Sequence, residues 1–283
     1  MARLLRDLDY NRLIQDDNLL QVIASNQQTK LDIEQSAQDE MTSYLAPRYE
    51  VANVFTNTTV FSISAVYYAK NLVEFTAATY ASASTYSINT FVVYSGYVYK
   101  ANQSAITGAW DATKWTQICL DKALFYVTLP YPEYDAETSY SAGDIVWYKN
   151  KTYTCNQPCI NVLPTVTQIW TAGSDYTITG IYPDDSTKWT AGDNRNQQIV
   201  LFLIDITLYH LHSRINPRNI PDLRKERYNG NDPMDRGGAI GWLKSVAHGN
   251  VQADLPVIVP QQGLSMRSGN AGTYANPSPN MMW

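Results

Sequence analysis

One stretch of this sequence repeats itself, and that repeat constrains the fold more than any other feature. Residues 86–103 align with residues 140–157, beginning Tyr86-Ser87-Ile88-Asn89-Thr90-Phe91-Val92 against Tyr140-Ser141-Ala142-Gly143-Asp144-Ile145-Val146. Both copies then reach a second matching block. It reads Asp111-Ala112-Thr113-Lys114-Trp115-Thr116 in one and Asp185-Ser186-Thr187-Lys188-Trp189-Thr190 in the other, where a longer loop precedes it. Two blocks in the same order mark a duplicated structural unit. Each unit reads as a small β-module: Phe91-Val92-Val93-Tyr94 as a strand, Ser95-Gly96 as a two-residue hairpin turn and Tyr97-Val98-Tyr99-Lys100 as the return strand. In the second copy the turn falls at Lys149-Asn150 or Asn150-Lys151. The late Trp is expected to close each module as a small core.

Composition changes where the repeats begin and end. Fifteen of the 21 Tyr lie between Tyr67 and Tyr182, and five of the seven Trp lie within 56–194. No Arg occurs between Arg48 and Arg195, although seven Lys do. Tyr, Thr, Ser and Trp suit strands and turns. The flanks instead show helical spacing. Asp16-Asp17-Asn18 can cap a short helix through Leu19, Leu20, Val22 and Ile23. A longer one is expected from about 28 to 45 on the stripe Ile33, Ala37, Met41, Tyr44 and Leu45, ended by Pro47. The run from Ile199 to Tyr209 is apolar on nearly every face, which predicts a central helix over about 196–213. Asn216-Pro217 and Pro221-Asp222 each start a short helix or turn, and Asp232-Pro233 is expected to open the last helix. Ile240, Leu243, Val246 and Ala247 would be its buried stripe and Gly249 its stop.

The fold class expected is therefore α+β. A discontinuous helical domain of four to five helices (1–55 and 195–253) is interrupted by an all-β insertion (56–194), with repeats at about 80–120 and 134–194. The tail, 254–283, is rich in Gly, Asn, Ser and Pro and reads as an extended arm. No apolar run reaches the roughly 18 residues of a membrane helix. The first residues lack the apolar core of a signal peptide, so folding in the cytoplasm is expected.

The sequence offers no catalytic constellation. Asp184-Asp185, Asp16-Asp17 and Asp39-Glu40 are adjacent pairs whose side chains diverge, which suits caps and solvated faces rather than an acid–base pair. His210 and His212 are two apart on a helix and do not share a face. Cys119, Cys155 and Cys159 are too few for a structural zinc, and their odd number favours free thiols over a Cys155–Cys159 disulfide. Gly237-Gly238-Ala239-Ile240-Gly241 follows no strand and precedes no Lys-Ser/Thr, so it is no phosphate loop. The expectation is a protein without catalytic, metal or cofactor-binding residues.

Two interaction features remain. The aromatics Tyr94, Tyr99, Trp115, Trp147, Tyr148, Tyr153 and Trp189 have two readings. Tyr94, Trp147 and Tyr148 could form a platform for sugar rings, or these side chains could be the cores and cross-strand pairs of small modules. Core and protein-contact roles are favoured, because modules this small need their aromatics for stability. The basic cluster Arg214, Arg218, Arg224, Lys225 and Arg227 could meet DNA phosphate, but Asp222 and Glu226 are interleaved, which favours ion pairs within or between subunits.

The flanks resemble a known family. Residues 37–49, containing Tyr44-Leu45-Ala46-Pro47-Arg48-Tyr49, are similar to the helix, Tyr-Leu, Arg-Tyr pattern of tailed-phage head–tail connector (adaptor, head-completion) proteins. Tyr209-His210-Leu211-His212-Ser213-Arg214, then Arg224-Lys225-Glu226-Arg227-Tyr228 and the segment from Ala239 to Val251 with Asp254-Leu255-Pro256, agree with it. Ring proteins of crAss-like phages are the expected kin. This resemblance implies a structural virion protein at the neck: a homo-oligomeric ring of about twelve subunits, matching the portal protein it binds. DNA would pass through the lumen without sequence-specific binding. Arg214, Arg218, Arg224 and Arg227 would be ring-interface candidates, and Pro256, Met281, Met282 and Trp283 would anchor the arm on the portal or a neighbour. The modules would project toward other neck or tail proteins.

The repeats resemble a second family, small carbohydrate-binding modules of the chitin-binding type. Tyr140, Gly143, Asp144, Val146, Tyr148, Tyr153 and Trp189 fit its pattern, while the first copy has Asn89-Thr90 where the pattern has Gly-Asp. This resemblance implies the alternative function, a glycan-binding tail or adhesion protein whose helical part is only a mount.

Overall fold

The computed structural model describes residues 3–23, 26–51, 55, 58–215, 217–230, 237–255 and 257–258, without the side chain of Asp16. The architecture is mixed α+β, with a β-rich middle between two helical flanks that share one core.

In the flanks, α1 (Asp16–Val22) begins earlier than its acidic run suggested. Gln15 is its N-cap, so Asp16 and Asp17 lie in the first turn. The long helix α2 (Gln27–Leu45) is capped by Asn26, whose side chain accepts from the Thr29 N–H. After the β-region come α3 (Gln197–Ile215), α4 (Asp222–Asn229) and α5 (Gly238–His248). Ile199, Val200, Leu203, Ile204, Ile206, Leu208 and Leu211 of α3 are all buried, in keeping with a helix apolar on most faces. It is packed by α1, α2, α4 and α5. Asp232-Pro233 lie outside the described residues, and α5 itself starts at Gly238 with Gly237 as its N-cap. Gly249 ends it in the left-handed region (φ 79°), where a Cβ would also strike the Arg48 guanidinium. Of the stripe expected on α5, Ile240, Leu243 and Val246 are buried and Ala247 is half-buried. Pro256, Met281, Met282 and Trp283 lie outside the described residues.

The β-region contains three copies of one module where the sequence shows two. Its strands are β1 (Thr58–Val60), β2 (Tyr67–Tyr68), β3 (Leu72–Phe75), β4 (Phe91–Tyr94), β5 (Tyr97–Ala101), β6 (Trp115–Leu120) and β7 (Ala123–Val127). There follow β8 (Ser139–Tyr140), β9 (Ile145–Tyr148), β10 (Lys151–Cys155), β11 (Cys159–Ile160), β12 (Trp170–Asp175), β13 (Thr177–Ile178) and β14 (Trp189–Ala191). The first repeat is the meander β4-β5-β6 and the second is β9-β10-β12. The third is β3-β7-β14, with β1 added in parallel to β3.

That third copy is split, and it encloses the other two. Its hairpin pairs Leu72 with Tyr126 and Phe75 with Ala123, just as β4-β5 pairs Phe91 with Lys100 and Tyr94 with Tyr97. The second repeat does the same, pairing Ile145 with Thr154 and Tyr148 with Lys151. Two of the hairpins close with two-residue turns, Ser95-Gly96 and Lys149-Asn150, both residues having positive φ in each. In the outer copy the entire first repeat stands at that turn. The second repeat occupies the connection between β7 and β14.

This topology corrects the extent of the second repeat. Trp170, not Trp189, closes it: Trp170 pairs with Cys155, whereas Trp189 pairs with Val127 of the outer copy. The physical reason lies in the turn before each Trp. Asp111 and Asp185 each accept from the backbone N–H and hydroxyl of a Thr two residues on. In the second repeat, Val166 makes the corresponding turn through its backbone alone, the Trp170 N–H donating to the Val166 carbonyl at 2.9 Å. The Asp-x-Thr-x-Trp signature therefore survives in the first and outer copies and is missing from the second.

Candidate functional site

Each module is built around one tyrosine and one tryptophan. The tyrosine hydroxyl clamps the backbone five residues earlier. The Asp135 N–H donates to the Tyr140 hydroxyl (2.8 Å), which donates back to the Asp135 carbonyl (3.1 Å). Tyr86 does the same with Ala81 (2.7 and 3.2 Å), and Tyr67 with Ser62 (2.7 and 3.2 Å). The closing Trp stands edge-on to that tyrosine: Tyr67–Trp189, Tyr86–Trp115 and Tyr140–Trp170 have centroids 5.3, 5.4 and 5.3 Å apart. A second ring six residues before the tyrosine stacks on it, in Phe61–Tyr67, Tyr80–Tyr86 and Tyr134–Tyr140. Trp115 and Trp189, two of the sequence-predicted aromatics, are thus core residues.

The remaining aromatics have different fates according to what covers each module. The back of the first repeat joins the outer copy's core, where Phe91 and Val98 pack with Phe75 and Phe125. The second repeat is held against the outer copy by Lys70. Its ammonium sits 5.1 Å from the centre of the Trp147 ring and pairs with Glu133 at 2.6 Å. Trp147 is only 6% exposed, which removes it from any open platform. Tyr148 is half-buried, with the Lys149 ammonium 5.5 Å from its ring centre. That ammonium also binds Glu50 at 2.8 Å, and this bond holds its pKa above the usual lysine value. Tyr153 is half-buried and edge-on to Tyr148 at 6.3 Å.

The first repeat turns a stacked cluster of rings toward solvent. Tyr94 is 37% and Tyr97 36% exposed, and the two face each other across the end of the hairpin. Tyr94 stacks on Trp110 with centroids 4.0 Å apart and planes 11° apart. Tyr99 and Tyr80 stand edge-on to the same indole at 4.9 and 5.0 Å. The Tyr80 hydroxyl donates to the Gly108 carbonyl and the Tyr99 hydroxyl to Gln117, which fixes both rings. Trp110 has no counterpart in either other copy, and sequence reasoning missed it because it lies between the two repeated blocks.

The basic cluster divides. Arg214 and Arg218 are exposed. Arg227 turns inward to buried Asp205 (2.9 Å), and Arg224 donates to the Leu13 carbonyl (3.1 Å). Burial raises the Asp205 pKa and lowers that of Arg224. These two arginines therefore bond to groups of their own chain. The Cys155 and Cys159 sulfurs lie 3.8 Å apart as free thiols. Burial and the neighbouring thiol push Cys159 up to about 11. Among the described residues, no three His, Cys, Asp or Glu side chains gather as a metal site, and no helix is long and apolar enough to cross a membrane.

No curated protein matches this chain. Residues 133–163 match the family model of carbohydrate-binding module family 5/12. The match runs from the start of the second repeat past β11 and stops before its closing Trp170, so this part of the chain is similar to a carbohydrate-binding module.

Proposed function

We propose that this chain is a non-catalytic carbohydrate-binding protein whose helical body mounts the β-modules. The observation that carries this reading is the family match over 133–163, in a module whose architecture the chain builds three times. Solvent-facing aromatic rings supply the chemistry, because the C–H faces of sugar rings stack on them without any need for charge. The test is co-sedimentation of the full chain with insoluble chitin and cellulose, alongside an inert bead control. Retention that is competed by the soluble oligosaccharide supports the reading. No retention on any polysaccharide would overturn it.

The mount has a reading of its own. We propose that it is a ring subunit of a tailed-phage neck, assembled in the host cytoplasm and bound to the portal, with its tail as a docking arm. One observation favours this: the two separated segments that resemble connector proteins meet. Arg48 donates to the Val246 carbonyl (3.3 Å), Ala253 donates to the Tyr49 hydroxyl (3.1 Å), and Ile258 donates to the Arg48 carbonyl (2.9 Å). Mass measurement of the purified chain with and without portal tests it. A ring of about twelve copies on the portal supports the proposal, and a monomer indifferent to portal removes it while leaving glycan binding intact.

A further inference from the structure

The second repeat carries the family match, yet its ring surface is the more covered one. We propose that the carbohydrate site lies on the first repeat, at Tyr94, Tyr97 and Trp110, and takes a neutral, β-linked pyranose chain; this rests on the glycan-binding reading above.

The three copies serve as controls for one another. Tyr94, Tyr148 and Phe75 hold the same hairpin position, each the last residue of its strand before the turn or insertion. Phe75 is 1% exposed, closed off by Phe91 at 5.3 Å. Tyr148 lies beside the Lys149 ammonium, which Glu50 pins in place, and next to Trp147, which Lys70 closes. Tyr94 has neither cover. One of its faces rests on Trp110, and that stack leaves the opposite face for a ligand. The rings beneath are immobilised before any ligand arrives, since Trp110 is also stacked near Trp115 at 5.3 Å and flanked by Tyr80 and Tyr99. Little ordering entropy is then lost on binding.

Stacking rings suit a neutral ligand. Asp111 and Lys114, which follow Trp110, pair with each other at 3.3 Å, and Asp121, whose N–H donates to the Gly96 carbonyl, stands with exposed Lys122 beyond the turn. The Lys100 ammonium is turned away, held by Asp184 at 2.5 Å. An uncharged sugar chain with equatorial linkages presents flat C–H faces to stack on such rings.

The experiment uses the full chain and soluble hexasaccharides of β-linked N-acetylglucosamine and glucose, with thermal unfolding recorded for every variant. Tyr94→Ala changes an exposed ring and should weaken binding by about tenfold or more, at unchanged melting temperature. Trp110→Phe should weaken it less, and Tyr148→Ala by less than about twofold. Full binding by both Tyr94→Ala and Tyr97→Ala, with loss in Tyr148→Ala, would overturn the site while leaving the glycan reading in place. Absence of binding by the unaltered chain would overturn the reading itself, and the site with it.

Discussion

The helical body and the β-region solve the same problem with opposite chemistry. The body buries aliphatic side chains and closes its boundary with buried ions. Arg195, the first residue after the β-region, has a fully buried side chain held by Asp9 (2.6 Å), Asp193 (2.7 Å) and the Leu4 carbonyl (2.8 Å). The modules have no such pair at their centres. Each relies on a Tyr–Trp contact and a tyrosine clamp, which suits cores too small to satisfy a desolvated charge. The difference teaches where each part is vulnerable. The body fails when a partner of a buried ion is removed, and the modules fail when a ring of the buried Tyr–Trp contact is removed.

The largest effect is expected from the ring that closes the outer copy. Trp189 contacts Phe61 and Tyr67 and donates its indole N–H to the Ile181 carbonyl. Trp189→Ala should cost about 3–5 kcal/mol, read by denaturant unfolding. Hydrogen exchange should show β3, β7 and β14 losing protection together while β9 and β10 keep theirs. Loss of protection in β9 and β10 instead would mean that Trp189 closes the second repeat after all.

Arg195→Met comes next. It strands Asp9 and Asp193 in a buried site, at a cost of about 3 kcal/mol. The loss should be seen first in the helical circular dichroism signal, with the module tryptophan fluorescence following.

Acid gives the smallest and most selective effect. Burial opposes ionisation of Asp9 and Asp193, but Arg195 outweighs it and holds both carboxyls below the usual range. His210 and Tyr228 do the same for Glu40, and Arg3 with Lys30 brings Asp7 to about 2. Depressed carboxyl pKa values contribute stability that is complete above the unfolded value of about 4 and is lost as pH falls through the folded values. Asp111, Asp135 and Asp185 of the modules are also held low, but by turn hydrogen bonds rather than buried ion pairs, so the helical signal should decline below about pH 4 ahead of the near-ultraviolet aromatic signal. A simultaneous decline of both would show that the two regions do not differ in this way.

How much of this was legible depended on which features each copy kept. Helices α2 and α3 follow from their apolar spacing; the first two-residue turn falls at Ser95-Gly96 as expected, and the second at Lys149-Asn150, one of the two placements the sequence allows. The outer copy was hidden for two physical reasons. Its hairpin is interrupted by a whole module, so no local window contains it. Its turn residue in the left-handed region is Lys70 (φ 66°), where the other copies place Asn89 and Gly143. A lysine there gives no turn signal. The closing Trp of the second repeat carries no sequence signal of its own, because Val166 stands where the other copies have Asp111 and Asp185. The Lys70 ammonium over the Trp147 ring could not be read from sequence at all, since Lys70 belongs to another copy.

If a glycan binds the open rings of the first repeat, hydrogen exchange of the full chain with and without saturating soluble β-linked hexasaccharide should show new protection across 94–99 and 108–115 and none across 146–153. New protection across 146–153 with none in the first repeat would place the glycan on the second repeat instead.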